Sequence, residues 1–426
     1  MRTLYWLAFT SLVACTNSPD PRVITGGGIS DGEIDGLINV YIIDNNTYQP
    51  ITDATVDVGG KQAMTDETGL VIFQDVSGPQ TIAVKASGYR GAVWQGANGA
   101  NVTIPVTKLG TETAQQATLS GTITGWDTIS VATGHIKAAL VAYSQNDDLG
   151  DPANNIQTPN QGNLCTGQGT TCPYTVITRT GTVTLVAAIV DYDPHGTATM
   201  DDDTTSIIGW ATAPSVQVNA GVAQSGLTLT IVQAGSLQNA TIDFGTPPAA
   251  LAKHDALIGI ELSNSEVVQL PVLPSGSTTA LVPMTTVFAP NATYRLTAIA
   301  QTTEGDKGAQ SIILRRGQAT TTLAADSWLT PPTNVTGTRT SATFDTVTNA
   351  KVSSAQWSDP TGILLEITAF DNKPTLKVPD LLALPTTGVM TLKAQGIGAD
   401  LDVNNFSLDK DKKLLWGVSA QPITLQ

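Results

Sequence analysis

No stretch of this chain of 426 residues keeps a sustained helical period, and that absence narrows the fold more than any other feature. What recurs instead is alternation. Residues 54–58, Ala-Thr-Val-Asp-Val, turn every second side chain to one face, the pattern of a half-buried strand. Residues 182–190, Thr-Val-Thr-Leu-Val-Ala-Ala-Ile-Val, form the most strand-like run in the chain. Charged residues are 13% and apolar ones 41%, which fits neither a disordered chain nor a helix-rich enzyme. An all-β chain is expected, long enough for about three or four domains.

The N-terminus decides where such a chain lives. Met1 and Arg2 give a short positive start, and residues 4–13 are apolar but too few to span a bilayer, as in a signal-peptide core. This run meets Leu12-Val13-Ala14-Cys15, which resembles the bacterial lipobox. The resemblance implies cleavage before Cys15 and diacylation of that residue. A plain signal peptide or a cysteine in a core helix are the other readings. Thr16 rather than an aspartate follows Cys15, and similarity to the enterobacterial sorting rule then implies the outer membrane.

The balance of 21 Lys+Arg against 36 Asp+Glu gives −15, so nucleic acid and anionic headgroups would be repelled. Membrane attachment must come from acyl chains, and more than one is needed for a stable anchor. The expected partners are the membrane, through the lipid anchor, and an envelope or surface protein, with no nucleic acid. Cations are the natural small ligands.

The chain divides by its turn and linker chemistry. Residues 1–15 are the signal and lipobox, and 16–33 a flexible linker of Asn, Ser, Pro, Asp and Gly. That linker contains Gly28, Ser30 and Gly32 in a G-x-S-x-G match, but a nucleophile elbow needs a strand before the serine and a helix after it. Residues 34–108 form the first sandwich. Pro50-Ile51-Thr52-Asp53-Ala54, Thr65-Asp66-Glu67-Thr68-Gly69 with Phe73 after it, and Ala86-Ser87-Gly88-Tyr89 resemble the carboxypeptidase regulatory-like (transthyretin-like) β-sandwich. In that family the module is a scaffold without catalytic residues of its own.

Residues 109–233 are expected to form a second sandwich with a long polar loop, and 234–330 a third that echoes the second in degenerate form. Residues 293–300 stand to 182–190 as 255–262 stand to 135–143. After the stiff linker Trp328-Leu329-Thr330-Pro331-Pro332-Thr333, residues 331–426 resemble a fibronectin type III-like sandwich. Pro332-Thr333-Asn334-Val335 and Ala355-Gln356-Trp357-Ser358-Asp359-Pro360 carry that resemblance, with Trp357 where the family places a core tryptophan. An inserted Leu381-Leu382-Ala383-Leu384 departs from it. The expected fold is therefore all-β, with tandem Ig-like/transthyretin-like β-sandwich domains after an N-terminal lipoprotein signal.

Chemistry-bearing residues are few. With Cys15 assigned to lipid, Cys165 and Cys172 remain in one loop, and an oxidising compartment favours a disulfide between them. His135, His195 and His254 lie far apart and read as solvated or hydrogen-bonded surface residues. The strand 182–190 is expected to leave the sheet at Asp191 and face solvent. Asp191-x-Asp193-x-His195-Gly196, with Asp201, Asp202 and Asp203 beyond, resembles a calcium loop of the Asp-x-Asp-x-Asp-Gly kind. That resemblance implies calcium held by Asp191, Asp193, Asp201, Asp202 and Asp203, although His195 stands where an oxygen ligand is usual. A solvated acidic loop is the other reading, and no other cofactor is expected.

Three functions fit these residues. The first is a non-catalytic cell-envelope lipoprotein with a structural, adhesive or protein-binding role. The second is a carbohydrate- or substrate-capturing lipoprotein serving a transporter, with an exposed aromatic platform drawn from Trp94, Trp126, Trp210 and Tyr143. The third is a hydrolase with a clustered acid pair in a cleft. Aromatic residues are only 5%, which counts against a sugar-binding cleft and hence against the third.

Overall fold

The computed structural model describes residues 33–45, 49–109, 116–146, 164–165, 169–196, 203–262, 266–270, 276–302, 308–325, 327–399 and 414–425. The signal, Cys15, the linker to residue 32, Asp201 and Asp202 fall outside these residues. The regular structure among the described residues is strand, apart from a few single 3-10 turns. No helix among them is long and apolar enough to cross a membrane.

The first sandwich packs a three-stranded sheet, with Asp35–Asp44 between Leu70–Ser77 and Asn101–Val106, against Thr55–Val58, Lys61–Met64, Gln80–Lys85 and Gly91–Ala97. Ile38, Val40, Ile42, Val56, Ile82, Val84, Val102 and Ile104 fill the space between, at the alternating positions that period two demands. The tight turn before Leu70–Ser77 has a chemical cause. Asp66 Oδ1 accepts from the Thr68 N–H at 2.8 Å, the Thr68 hydroxyl at 2.7 Å and the Leu70 N–H at 3.1 Å. Thr68 foremost, these donors hold the Asp66 carboxyl below its ordinary value. Gly69 has φ +73°, and a Cβ there would stand 2.7 Å from the Ile42 carbonyl oxygen, so only glycine fits.

The second segment is one seven-stranded sheet folded over on itself, in the order Leu164–Cys165, Ile136–Tyr143, Gly181–Asp193, Thr204–Val218, Gln224–Ile231, Gln116–Thr124, Thr171–Arg179. Both halves face one core, where Leu119, Ile123 and Val176 meet Val141, Leu185 and Ile189 around the wholly buried Trp126. The strand Gly181–Asp193 is buried on both sides. Val183, Leu185, Ala187 and Ile189 point into this core, while Val186 and Ala188 pack into the core of the third sandwich. That double burial is why its sequence is continuously apolar instead of alternating.

The third sandwich sets Thr279–Pro283, Leu237–Asp243 and Thr322–Ala324 against Glu266–Gln269, Lys253–Glu261, Thr293–Gln301 and Gln310–Gln318. The strands at matching places in the second and third segments pair in matching ways. Ile136–Tyr143 runs antiparallel to Gly181–Asp193, as Lys253–Glu261 does to Thr293–Gln301. A further regularity links the first three units: the opening strand of each pairs in parallel with its closing strand. In the second, Gly121 makes this approach feasible, since a Cβ there would lie 1.7 Å from the Leu227 carbonyl oxygen.

The fourth sandwich packs Thr336–Gly337, Ser341–Thr343 and Thr375–Lys377 on Val352–Asp359, Gly362–Ala369, Met390–Ala399, Leu414–Ser419 and Ile423–Leu425. Trp357 is wholly buried in its core and its Nε1 donates to the Thr338 carbonyl at 2.9 Å.

Sequence reading treats these units as beads on linkers, whereas the structure joins them edge to edge. One fourteen-stranded sheet passes from Gln145–Asn146 of the second segment through the third and fourth sandwiches and into the first. Gln310–Gln318 pairs with Leu414–Ser419, and Gly362–Ala369 pairs in parallel with Gly91–Ala97. Each of these strands would otherwise expose a row of unpaired N–H and C=O groups, and pairing across the boundary removes that edge. Side chains seal the same seams. Ala83 and Val93 of the first sandwich belong to the fourth's core, and Trp94 meets Phe370 edge-on at 5.0 Å between ring centroids. The inserted leucines serve this seam: Leu382 is buried and sits where a Cβ on Gly91 would come within 3.0 Å of it. The segment read as a stiff linker is tied at its start to both flanking sandwiches, Trp328 Nε1 donating to the Phe244 carbonyl at 2.7 Å while Leu329 clusters with Val347, Ala350 and Val418.

Candidate functional site

The acidic end of the second segment carries the residues singled out for calcium. The strand does not leave the sheet at Asp191. It runs to Asp193, with Asp191 opposite Lys137 on one side and Ser206 on the other. The reason is pairing on both flanks, which continues past the last apolar residue and keeps the backbone in register. The two carboxylates also have a histidine beside them. His135, just before Ile136–Tyr143, lies beside the pair: its Nδ1 is 2.8 Å from Asp191 Oδ1 and its Nε2 is 3.4 Å from Asp193 Oδ2.

His195 lies on the turn after the strand with φ +46°. Its backbone N–H donates to Asp193 Oδ1 at 2.8 Å, and its Nε2 is 3.6 Å from Asp193 Oδ2. Asp203 accepts from the Tyr192 hydroxyl and so is turned to the hairpin's other strand. Lys137 Nζ donates to the carbonyls of Trp126 and Ile129, both at 2.6 Å, and lies 4.5 Å from the Trp126 ring centroid. Burial pushes the Lys137 ammonium below its ordinary value, with Asp127 opposing. Among the described residues no group of three His, Cys, Asp or Glu side chains is placed to hold a metal ion. His135 is the residue sequence reading did not connect to this loop. Only the strand register brings it there, and no local signal announces a pairing between positions 56 residues apart.

A second charged cluster lies in the third sandwich beside its seam with the fourth. Glu261 Oε1 accepts from Arg316 Nε at 2.6 Å, and Oε2 accepts from the Gly317 N–H at 2.8 Å and the Thr293 hydroxyl at 3.2 Å. Arg295 and Arg316 are both buried. Burial is the main effect on Glu261 and raises its carboxyl, against the Gly317 N–H, Arg295 and the Thr293 hydroxyl. Burial likewise lowers the Arg295 guanidinium, against Glu261.

The aromatic residues weighed for a binding platform do not form one. Trp126 and Trp210 are wholly buried, Tyr143 packs against the second core, and Trp94 is spent on the seam with the fourth sandwich. Cys172 is wholly buried and disulfide-bonded, while the side chain of Cys165 lies outside the described residues.

No protein-family model matches the chain, and no curated protein matches it. Solved structures match weakly. The Bacillus anthracis TIE protein is 11% identical, with 62% of this chain and 44% of that one covered and a TM-score of 0.15. This chain thus spans less than half of that protein's length. The FN1–FN3 domains of chicken CNTN1 are 8% identical, with coverages of 83% and 95% and a TM-score of 0.17. Two B repeat units of the collagen-binding protein of Staphylococcus aureus are 10% identical, with coverages of 78% and 74% and a TM-score of 0.15. Likeness at this level carries no argument about function, and the β-sandwich architecture stands on the sheets and cores themselves.

Proposed function

We propose that this chain is a non-catalytic lipoprotein of the bacterial cell envelope, anchored in the outer membrane through Cys15, whose sandwiches have a structural or adhesive role and engage another envelope or surface protein. The observation that carries this reading is the fourteen-stranded sheet. A chain that spends its sheet edges and its interdomain tryptophans on fusing sandwiches gains a stiff, continuous body, which suits a load-bearing or presenting role better than a hinged cleft. Within that body the first unit acts as a carboxypeptidase regulatory-like scaffold, supported by Gly69 and Phe73, and the last as a fibronectin type III-like module, supported by Trp357.

The anchor is tested by substitution. Cys15→Ala is expected to abolish acylation and move the protein from the membrane to the soluble fraction, read by fractionation and immunoblotting. Membrane association unchanged in that variant would sink the anchor, and wild-type protein recovered in the inner membrane would move its address. Co-purification from native membranes would then name the partner.

The same compartment implies the bridge between Cys165 and Cys172. What supports it is the disulfide on Cys172 and the small loop that separates the two positions. Non-reducing peptide mapping of the mature protein is expected to recover one peptide pair joined through these residues. Two alkylatable thiols in unreduced protein would refute the pairing.

A further inference from the structure

We propose that the peptide bond between Asp193 and Pro194 is a self-cleavage site, cut once per chain by the Asp193 carboxylate while His195 donates to the carbonyl under attack. The turn that ends Gly181–Asp193 brings both groups to that bond. The His195 backbone N–H donates to Asp193 Oδ1 at 2.8 Å, an Asx turn whose hydrogen-bonded ring includes the Asp193–Pro194 bond itself. The carboxylate is thereby held against its own peptide, where attack of Oδ1 on the Asp193 carbonyl carbon closes a five-membered ring. The His195 imidazole folds back onto the same residue, with Nδ1 3.3 Å from the Asp193 carbonyl oxygen. A carbonyl oxygen only accepts, so Nδ1 is the donor, placed where charge grows as the carbon is attacked.

The surroundings hold this arrangement in place. His195 has φ +46°, a left-handed backbone that is costly for a histidine and that turns its N–H and its ring back toward Asp193. The carboxylate's other oxygen, Oδ2, has His135 Nε2 at 3.4 Å, and pairing with Thr204–Val218 fixes the backbone as far as Asp193. Pro194 has no N–H and leaves as a secondary amine. The chain supplies its own comparison, since it contains four Asp–Pro bonds, Asp20–Pro21, Asp151–Pro152, Asp193–Pro194 and Asp359–Pro360. Asp359 makes the same turn, its Oδ1 accepting from the Thr361 N–H at 2.7 Å. There the side chain two places on, the Thr361 hydroxyl, goes to that carboxylate oxygen at 2.5 Å and not to the carbonyl.

The step consumes one water and nothing is oxidised or reduced. Oδ1 adds to the Asp193 carbonyl carbon, and the bond from that carbon to the Pro194 nitrogen breaks. Its electron pair stays on the nitrogen, which takes a proton from water. The hydroxide so formed adds to the cyclic anhydride and opens it. Asp193 is left with two carboxylates, one of them a new C-terminus, and the proton brought by hydroxide passes to Pro194, the new N-terminal ammonium. The pieces 1–193 and 194–426 stay together, because Gly181–Asp193 keeps its pairing with Thr204–Val218 across the cut. This is processing of a scaffold and not turnover, and it depends on neither the anchor nor the partner.

The test uses full-length protein incubated for several days under native conditions near neutral pH with protease inhibitors, read by denaturing gel, intact mass and N-terminal sequencing. A fragment beginning Pro194-His195-Gly196 is expected, formed at least about tenfold faster than cleavage at the other three Asp–Pro bonds in the same sample. His195→Ala should slow that cut at least about tenfold and Asp193→Ala should abolish it, with the other three bonds unaffected. In urea the four bonds should break at similar rates, which ties the selectivity to the fold. His195→Ala keeps the proposal falsifiable if Asp193→Ala misfolds, since that side chain is 43% exposed, and circular dichroism checks each variant. No cut at Asp193–Pro194 in the native wild type, equal cutting at all four bonds, selectivity that persists in urea, a cut that survives Asp193→Ala, or an unchanged rate in His195→Ala would each overturn the site.

Discussion

Trp210→Ala is expected to destabilise the protein by about 3–5 kcal/mol, the range for removing a large aromatic side chain from a packed core. Trp210 lies on Thr204–Val218 of the second segment, yet its wholly buried ring belongs to the core of the third sandwich. Its Nε1 donates to the Leu281 carbonyl at 3.0 Å, a bond that crosses from one unit to the next. Ala142, Val186, Ala188 and Val232 lie in the same shared core. Truncation therefore opens a cavity in the seam and removes the donor to the Leu281 carbonyl. Urea unfolding of the full-length chain should show the second and third units, joined in the wild type, separating into two transitions. Trp210→Phe should cost less, since it keeps most of the bulk and forfeits chiefly the hydrogen bond, worth about 1 kcal/mol. A single transition in Trp210→Ala, shifted by less than about 1 kcal/mol, would mean that the seam does not couple the two units.

Glu261→Ala should be of similar size, about 3–5 kcal/mol, for an electrostatic reason. The substitution leaves two buried guanidiniums, Arg295 and Arg316, without the carboxylate that faces them, and removes the acceptor of the Gly317 N–H. Replacing all three by Leu and Met of similar volume should recover much of the loss, because a buried ion cluster repays little more than its own desolvation. The pH dependence has a definite sign. Burial raises the folded-state value of Glu261 above its unfolded one, so the folded protein binds the proton more tightly. The stability tied to that titration is fully present below the unfolded carboxylate range and is lost as pH rises through the folded value. Glu261→Gln does not titrate, so stability measured from pH 4 upward should fall more steeply in wild type than in this variant. Equal slopes would count against the burial argument, and an Ala variant as stable as wild type would remove the cluster's structural role.

Much of this architecture is legible in the residues. The alternation at residues 54–58 gives the strand Thr55–Val58, and the Asp66 to Gly69 turn is written in side chains that bond within four residues of one another. Trp357 lies buried in the fourth core, the kind of place the fibronectin type III-like resemblance implied for it. The candidate site was legible only in part. Asp191, Asp193 and His195 lie within five positions, so their clustering is local, whereas His135 arrives across a strand ladder.

The sequence by itself determined the all-β class, the periodic strands, the local turns and the acidic character of one loop, because each of these is set by contacts between near neighbours along the chain. Only the tertiary structure decided that Gly181–Asp193 is buried on both faces, that Gly91–Ala97 pairs with Gly362–Ala369, and that His135 stands between two aspartates. The physical reason is the same in all three. A strand's backbone donors and acceptors are alike at every residue, so pairing partners far apart in the chain are chosen by which edges and apolar faces remain uncovered after each unit has folded.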